Sequence, residues 1–551
     1  VTANDGSNPT PKRHPNAPQA LAMPVAHLLA LAPLDVWLRI LWGTLPHPRY
    51  WLRLLGIGFT SLVGTIWSLP ERIIFGLSWT IFKKDNQQLE HPPGVLVIVG
   101  YYRSGTTHAH NLIACDPDTI TPRWYQSLLG QGFWMSWAVT RFLLVPFLSS
   151  SRPQDGVGFG PKWPGEDDFA LAGWVNCSTL PGRLIFPSRW AKWQKWNTLE
   201  NCTEAERTRW RKTLAGFAWK VTRGHPDQML VLKSPNHGAH ITELVKVFGD
   251  HVRFLHVSRD PIKVVESNIR MHDALSSHLL EEPLDASTLR ARIVEEYLEI
   301  ETATIAQAQS LDEGRIAFIT HENLIADPIG QLSKSFETLG LGFSDQHQAS
   351  ISSYLSDLGT YQRPPHTDID LGTPSTSEPA SIEHLRSLRP AQPQIKAATL
   401  PTPAHPSPPP RTGSGILVAL GTTIACGLLW IGLIWIIKQS FPDYRPRIDQ
   451  LVWVAGSVIG LLAVKAAGGG SKPLGLAAAI LTLLVFIIVS FPITVINWNF
   501  APNDTTREFL YHNGKGAIHG LLAPSSIVYA VLGILTAWRH TSETGPRAPG
   551  T

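Results

Sequence analysis

The chain has 551 residues, enough for two or three domains, and its net charge of +4 suits an anionic ligand or a lipid surface while giving no support to nucleic-acid binding. Charged residues make up 16%, against about 25% in an average soluble protein, and the deficit concentrates near the C-terminus, which points to membrane contact. The four cysteines, Cys115, Cys177, Cys202 and Cys426, are scattered with no C-x-x-C pair, so neither a zinc site nor a disulfide framework is expected.

Residues 1–24 are polar and proline-rich and read as a disordered tail; no compact apolar core follows their charges, so they do not form a signal peptide. From Val25 to Phe82 the chain is apolar but interrupted by Pro33, Pro46, Pro48 and Pro70 and by Arg39, Arg49, Arg53, Glu71 and Arg72. The window Leu54–Leu69 falls short of the ~20 residues that cross a bilayer, so residues 25–84 are expected to lie as amphipathic helices in the membrane interface.

Residues 85–371 alternate between two periodicities. Val95–Val99 is a run of five apolar residues that suits a strand buried on both faces. Further strands are expected at Met229–Leu232, Val252–Val257 and Arg315–Ile319. Helices are expected at Ala205–Arg223, Ile241–Phe248, from about Ile262, at Leu289–Gln309 and at Leu332–Leu339. This alternation predicts an α/β fold, a P-loop-like, doubly wound and mostly parallel sheet with its ligand beyond the carboxyl ends of the strands. Three segments directly follow strands and should gather on that edge: the loop from Gly100 to Thr107, the segment Lys233–His237 and the segment Ser258–Pro261.

Beyond Leu371 the composition changes. Residues 372–412 are rich in Pro, Ser, Thr and Ala, with eight prolines between Pro390 and Pro410, and read as an extended linker. Residues 413–551 read as a four-helix transmembrane domain, with spans at Ser414–Ile437, Leu451–Ala467, Leu474–Ile496 and Ile518–Trp538. Six loop Lys and Arg residues fall on the side of the catalytic domain and five on the other. The expected arrangement is a multi-pass protein of a bacterial inner membrane, with that domain facing the cytoplasm.

The chemistry sits in the strand-end loops. Gly100-xxxx-Gly105 has the spacing of a phosphate-binding loop, and the helix that follows would point its positive end at an anion. A nucleotide triphosphatase has Lys and Ser/Thr next; here Thr106 and Thr107 stand there, and Arg103 is the loop's only cation. Arg259, at a strand end, is followed eight residues later by Ser267, about two helical turns on, and such a pair can hold a second phosphate. One ligand with two separated anionic groups would explain both loops.

Residues 95–115, 229–269 and 315–339 resemble the sulfotransferase family that uses 3′-phosphoadenosine 5′-phosphosulfate, and more narrowly its bacterial branch with RSGTT, LKSP and RDP segments. The resemblance spans about residues 35–365. It implies that Arg103, Ser104, Gly105, Thr106 and Thr107 hold the 5′-phosphosulfate and that Arg259 and Ser267 bind the 3′-phosphate. It implies sulfuryl transfer to a hydroxyl, with the donor as co-substrate and no metal. Arg103 and the loop N–H groups would stabilise charge on the leaving phosphate. Cytosolic members place a His two residues after a Lys; here Lys233 is present but Pro235 takes that position. His237 is the first candidate general base, with Glu166 or Asp167 the second, and Lys233 is placed to touch the sulfonate. The Arg-Lys-Gly motif that contacts adenine in cytosolic members is not visible. A lipid or glycan hydroxyl near the membrane is the expected acceptor. Two rivals stand beside this reading: a P-loop kinase or nucleotide hydrolase, and a nucleotide-binding membrane protein without catalysis.

Overall fold

The computed structural model of the chain describes residues 31–43, 46–81, 94–133, 160–358, 369–389 and 476–483, with isolated positions elsewhere. The predicted tail, the proline-rich segment beyond residue 389 and the four C-terminal spans lie outside the described residues, apart from residues 476–483 and isolated positions in the spans.

Five strands form one sheet: β1 Val95–Val99, β2 Thr119–Ile120, β3 Met229–Lys233, β4 Val252–Ser258 and β5 Ile316–Thr320. Their order is β2-β3-β1-β4-β5 and every pairing is parallel. β1 is central, with Val97 opposite Leu232 of β3 on one side and Phe254 of β4 on the other. All five residues of β1 and of β3 are buried, as strands covered by helices on both faces must be. The chain leaves β1 toward β3, then crosses to β4 on the other side. That reversal opens a crevice at the carboxyl ends of β1 and β4. β2 escaped the sequence reading because two residues carry no periodicity.

The helices include α1 Leu34–Leu41, α2 Trp51–Ile81, α3 Thr106–Ile113, α4 Trp124–Leu128, α5 Asp167–Val175, α6 Glu204–Thr222, α7 Ile241–Phe248, α8 Pro261–Ala274, α9 Ala286–Ala308, α10 Pro328–Thr338 and α11 Glu378–Leu388, with further helices at Leu180–Leu184, Ala191–Gln194, His321–Ala326 and Asp345–Leu358. Their starts follow local chemistry. Asp260 accepts from the Lys263 N–H at 3.1 Å ahead of Pro261, and Thr203 and Glu206 form a capping box for α6.

Within residues 25–84, α2 runs unbroken for 31 residues through Pro70. The charges that interrupt its apolar run are bound by the domain: Arg53 Nη1 donates to the Leu279 carbonyl at 2.5 Å, and Glu71 pairs with buried Lys220 at 2.5 Å. The stretch Pro48–Ile74 is long and apolar enough to cross a membrane, by length and composition. One expectation needs correction: residues 372–412 are not linker throughout. α11 buries Ile382 and Leu385, and its Glu378 accepts two hydrogen bonds from Arg290, the Nη2 bond at 2.6 Å. The apolar positions were too few to show above the surrounding prolines.

Candidate active site

The loop after β1 is shaped by three left-handed residues, Gly100, Arg103 and Gly105. At φ 138° Gly100 leaves room for the Val257 carbonyl of β4, and at φ 101° Gly105 leaves room for the His321 ring. A Cβ at either glycine would collide with these neighbours. Arg103 adopts φ 70° without that freedom, a conformation a non-glycine residue takes only where its surroundings impose it. Backbone N–H groups turned this way, ahead of the α3 N-terminus, suit an anion. The Ser104 hydroxyl is buried in the loop with no hydrogen-bond partner among the described residues.

The second loop meets the first. Arg103 Nε donates to Ser267 Oγ at 3.1 Å, and Arg259 Nη1 donates to the Arg103 carbonyl at 3.2 Å. Residues more than 150 positions apart in sequence thus share one crevice above β1 and β4, with two guanidinium groups on its walls. Like charges brought this close require an anion between them or a firm scaffold around them.

The scaffold is a set of buried polar residues that the sequence reading did not single out. The Tyr101 N–H donates to Glu301 Oε1 at 3.3 Å, its hydroxyl to Glu296 Oε2 at 2.7 Å, and Asn268 Nδ2 donates to the Tyr102 carbonyl at 2.9 Å. Arg183, fully buried, pairs with Glu296 and lies over the Tyr102 ring at 3.8 Å. The two tyrosines of the loop are therefore its anchors. Burial, reinforced by Glu296, pushes the Tyr101 phenol well above its ordinary range, so its proton stays for donation. Glu296 and Glu301 both sit on α9, but from sequence alone they belong to an alternation that a solvated helix also shows.

On the other side of Thr107, a small cleft is lined by Thr107, His110, Asn111, Trp124, Trp163, Pro164, Glu166 and Lys233. Lys233, at the end of β3, reaches Thr107 Oγ1 at 3.2 Å and forms an ion pair with Glu166. Glu166 is thus the carboxylate of the acidic cluster that faces the cleft.

Its neighbours point inward. Asp167 is fully buried, accepts from the Lys233 N–H at 3.2 Å and meets His237 Nε2 at 2.5 Å. Burial alone would raise this carboxyl; the charge and hydrogen bond of His237 more than offset it and hold it below its usual range. Asp168 accepts from Ser178 Oγ at 2.8 Å, and burial pushes its carboxyl up to about 7. His237 is 1% exposed, packs edge-on against Trp210 and does not line the cleft. The ring of His237 thus lies in the core beneath the site, beside Asp167, and Glu166 is the one of the three candidate bases that lines the cleft. Proximity to Lys233 in sequence had suggested His237, but the short turn after β3 directs the ring under α5. Among the described residues no group of three or more His, Cys, Asp or Glu could hold a metal ion.

Residues 179–345 match the family model described as "Sulfotransferase family", a stretch that holds Lys233, Arg259 and Ser267 but not the loop after β1. Over 337 residues the chain is 29% identical to the omega-hydroxy-beta-dihydromenaquinone-9 sulfotransferase Stf3 of Mycobacterium bovis and of Mycobacterium tuberculosis, covering 60% of this chain and 82% of each relative. Among solved structures, sulfotransferase STF1 of Mycobacterium tuberculosis aligns with 65% of this chain and 99% of its own at 14% identity and TM-score 0.43. STF9 of Mycobacterium avium aligns with 65% and 95%, at 15% identity and TM-score 0.45. The family model and the mycobacterial relatives together support placing this chain with the sulfotransferases.

Proposed function

We propose that the protein transfers a sulfuryl group from 3′-phosphoadenosine 5′-phosphosulfate to a hydroxyl of a membrane lipid. The observation that carries this reading is the pair of contacts joining Arg103 to Ser267 and Arg259 to the Arg103 backbone. They bring the two loops to one crevice, as a single nucleotide with separated 5′ and 3′ groups would need. Arg103, Ser104, Gly105, Thr106 and Thr107 hold the 5′ group; Arg259 and Ser267 hold the 3′-phosphate. Ser104 fits this role, since its buried hydroxyl lacks a hydrogen-bond partner among the described residues.

In the reaction the acceptor oxygen forms a bond to sulfur as the bond from sulfur to the 5′-phosphate oxygen breaks. The acceptor proton passes to Glu166, and 3′-phosphoadenosine 5′-phosphate leaves. Lys233 stands between Thr107 and Glu166, where it can trade its carboxylate for the sulfonate oxygens and free Glu166 to take the proton. Loop N–H groups and Arg103 stabilise charge on the departing phosphate. Sulfuryl transfer carries one charge fewer than phosphoryl transfer and needs no metal clamp.

The acceptor side is apolar. Trp124, Trp163 and Pro164 wall the cleft beside Glu166, which suits a terminal hydroxyl on an alkyl or isoprenoid chain. The Stf3 relatives are omega-hydroxy-beta-dihydromenaquinone-9 sulfotransferases, which supports the same chemistry.

α2 supports membrane placement. Leu52, Leu55, Phe59, Leu62, Ile66, Leu69 and Ile73 are exposed at alternating three- and four-residue spacing, one stripe about 32 Å long at 1.5 Å per residue. The opposite face is tied to the domain along its length, by Arg53, by Ser61 Oγ to the Ala32 carbonyl at 2.7 Å, by the Leu34 N–H to Thr65 Oγ1 at 2.9 Å, and by Glu71. A helix held sideways like this would drag the domain into hydrocarbon if it spanned, so it lies in the plane of the interface with the stripe in lipid. The test is incubation with sulfur-labelled donor and a total membrane lipid extract: label enters the lipid phase with wild type and not with Arg103→Ala. Magnesium-dependent ATP turnover without label transfer would favour a kinase or hydrolase instead.

A further inference from the structure

The crevice needs its two cationic loops kept at a fixed separation, and one buried ion pair touches both. Glu301, on α9, is fully buried. One of its oxygens accepts from the Tyr101 N–H, at the start of the loop after β1; the other pairs with Arg389 Nη2 at 2.9 Å. Arg389 Nη1 donates in turn to the carbonyl of Arg259 at 2.7 Å, at the start of the loop after β4. The Tyr297 hydroxyl accepts a second bond from Arg389 Nη2 at 2.5 Å, which fixes the plane of the guanidinium. A single carboxylate–guanidinium pair therefore bridges the backbones of both strand-end loops.

Arg389 comes from outside the sheet. It ends α11, which docks through buried Ile382 and Leu385 and through the Arg290–Glu378 pair. Arg386 of the same helix reaches Asp260 Oδ2 at 3.0 Å, the residue that caps α8 and precedes Ser267 on that helix. Two arginine contacts thus run from α11 and its end to the segment that carries the 3′-phosphate pair, Arg389 to the Arg259 carbonyl and Arg386 to Asp260.

We propose that Arg389, acting with Glu301, is a positioning residue that sets the distance between the two anionic subsites, so that recognition of the 3′-phosphate depends on α11 being docked. The proposal rests on the donor assignment above. It does not place Arg389 against the nucleotide: both its Nη groups are occupied by protein. Removing it leaves the 5′ loop anchored by Glu301, Asn268 and the tyrosines, while the Arg259 carbonyl loses its holder.

The test is calorimetric titration of the full chain in detergent with 3′-phosphoadenosine 5′-phosphate and with adenosine 5′-phosphate, for wild type, Arg389→Ala and Arg389→Lys. The wild type is expected to prefer the bisphosphate. Arg389→Ala is expected to weaken bisphosphate binding about tenfold, the loss of one charge-assisted contact, with the monophosphate changed less than about twofold. Arg389→Lys, which retains charge but not the fork, should fall between them. Retained monophosphate binding shows that Arg389→Ala has folded. Unchanged preference in Arg389→Ala would overturn the positioning role and leave the donor assignment standing. Equal loss of both ligands would also overturn it, by showing a general structural role. A wild type with no preference for the bisphosphate would overturn the donor assignment and the inference together.

Discussion

Glu166 and His237 separate two accounts of the proton transfer, and isosteric amides at each position decide between them. Glu166→Gln keeps an oxygen for Lys233 and the shape of the cleft, but the amide cannot accept a proton from the acceptor. Loss of a general base costs about 10²–10⁴ in kcat, or about 3–5 kcal/mol of transition-state stabilisation, with donor KM little changed because the donor loops are untouched. His237→Gln places its amide nitrogen where Nε2 meets Asp167, so the buried carboxylate keeps a donor; what is lost is edge contact with Trp210. That change should destabilise the fold by about 1–3 kcal/mol and leave kcat within about threefold. His237→Ala would strand Asp167 and cost more, about 3–5 kcal/mol. Single-turnover transfer from sulfur-labelled donor, run beside thermal melts, reads both quantities. A folded His237→Gln protein without activity, beside an active Glu166→Gln protein, would refute the assignment.

Further outcomes follow from other parts of the molecule. Because the Asp168 carboxyl lies at about 7 when folded and near 4 when unfolded, its protonated form favours folding. The contribution is complete below the unfolded value and lost as pH rises through the folded one. Relative to Asp168→Asn, wild type should therefore lose on the order of 3–4 kcal/mol of stability between pH 4 and pH 7, and parallel pH profiles in urea titrations would contradict this. A double substitution on the exposed stripe of α2, Phe59→Glu with Ile66→Glu, should cut turnover of a bilayer-embedded alcohol about tenfold or more while sparing a short soluble alcohol. Equal effects on the two acceptors would count against interfacial seating. Chelation with EDTA should leave label transfer unchanged, and activity restored by added magnesium would argue for phosphoryl chemistry.

Much of the site was legible because its residues occupy strand ends. The five apolar residues of β1 and the glycines after them announced the first loop. The Asp-Pro start of α8 then fixed where Arg259 and Ser267 would fall. What stayed hidden depends on packing between distant elements. Glu296, Glu301 and Arg183 are charged residues whose burial no local pattern reveals, and each is buried only because its partner, Arg389 in the case of Glu301, arrives from another element. The choice among Glu166, Asp167 and His237 turned on side-chain direction. Three consecutive acids at a helix start face different ways, and only the first looks into the cleft. The long α2 was masked for a related reason: charges that look like breaks in an apolar run are neutralised by the surface on which the helix lies.

The central claim is that one nucleotide bridges two strand-end pockets, and a binding cycle tests it most directly. Affinities of 3′-phosphoadenosine 5′-phosphate and adenosine 5′-phosphate would be measured for wild type, Arg103→Ala, Arg259→Ala and the double variant. Arg259→Ala should weaken the bisphosphate about tenfold or more and leave the monophosphate nearly unaffected, Arg103→Ala should weaken both, and the double variant should show coupling through the shared ligand. If Arg259→Ala leaves bisphosphate affinity intact, the two loops do not hold one donor and the account fails.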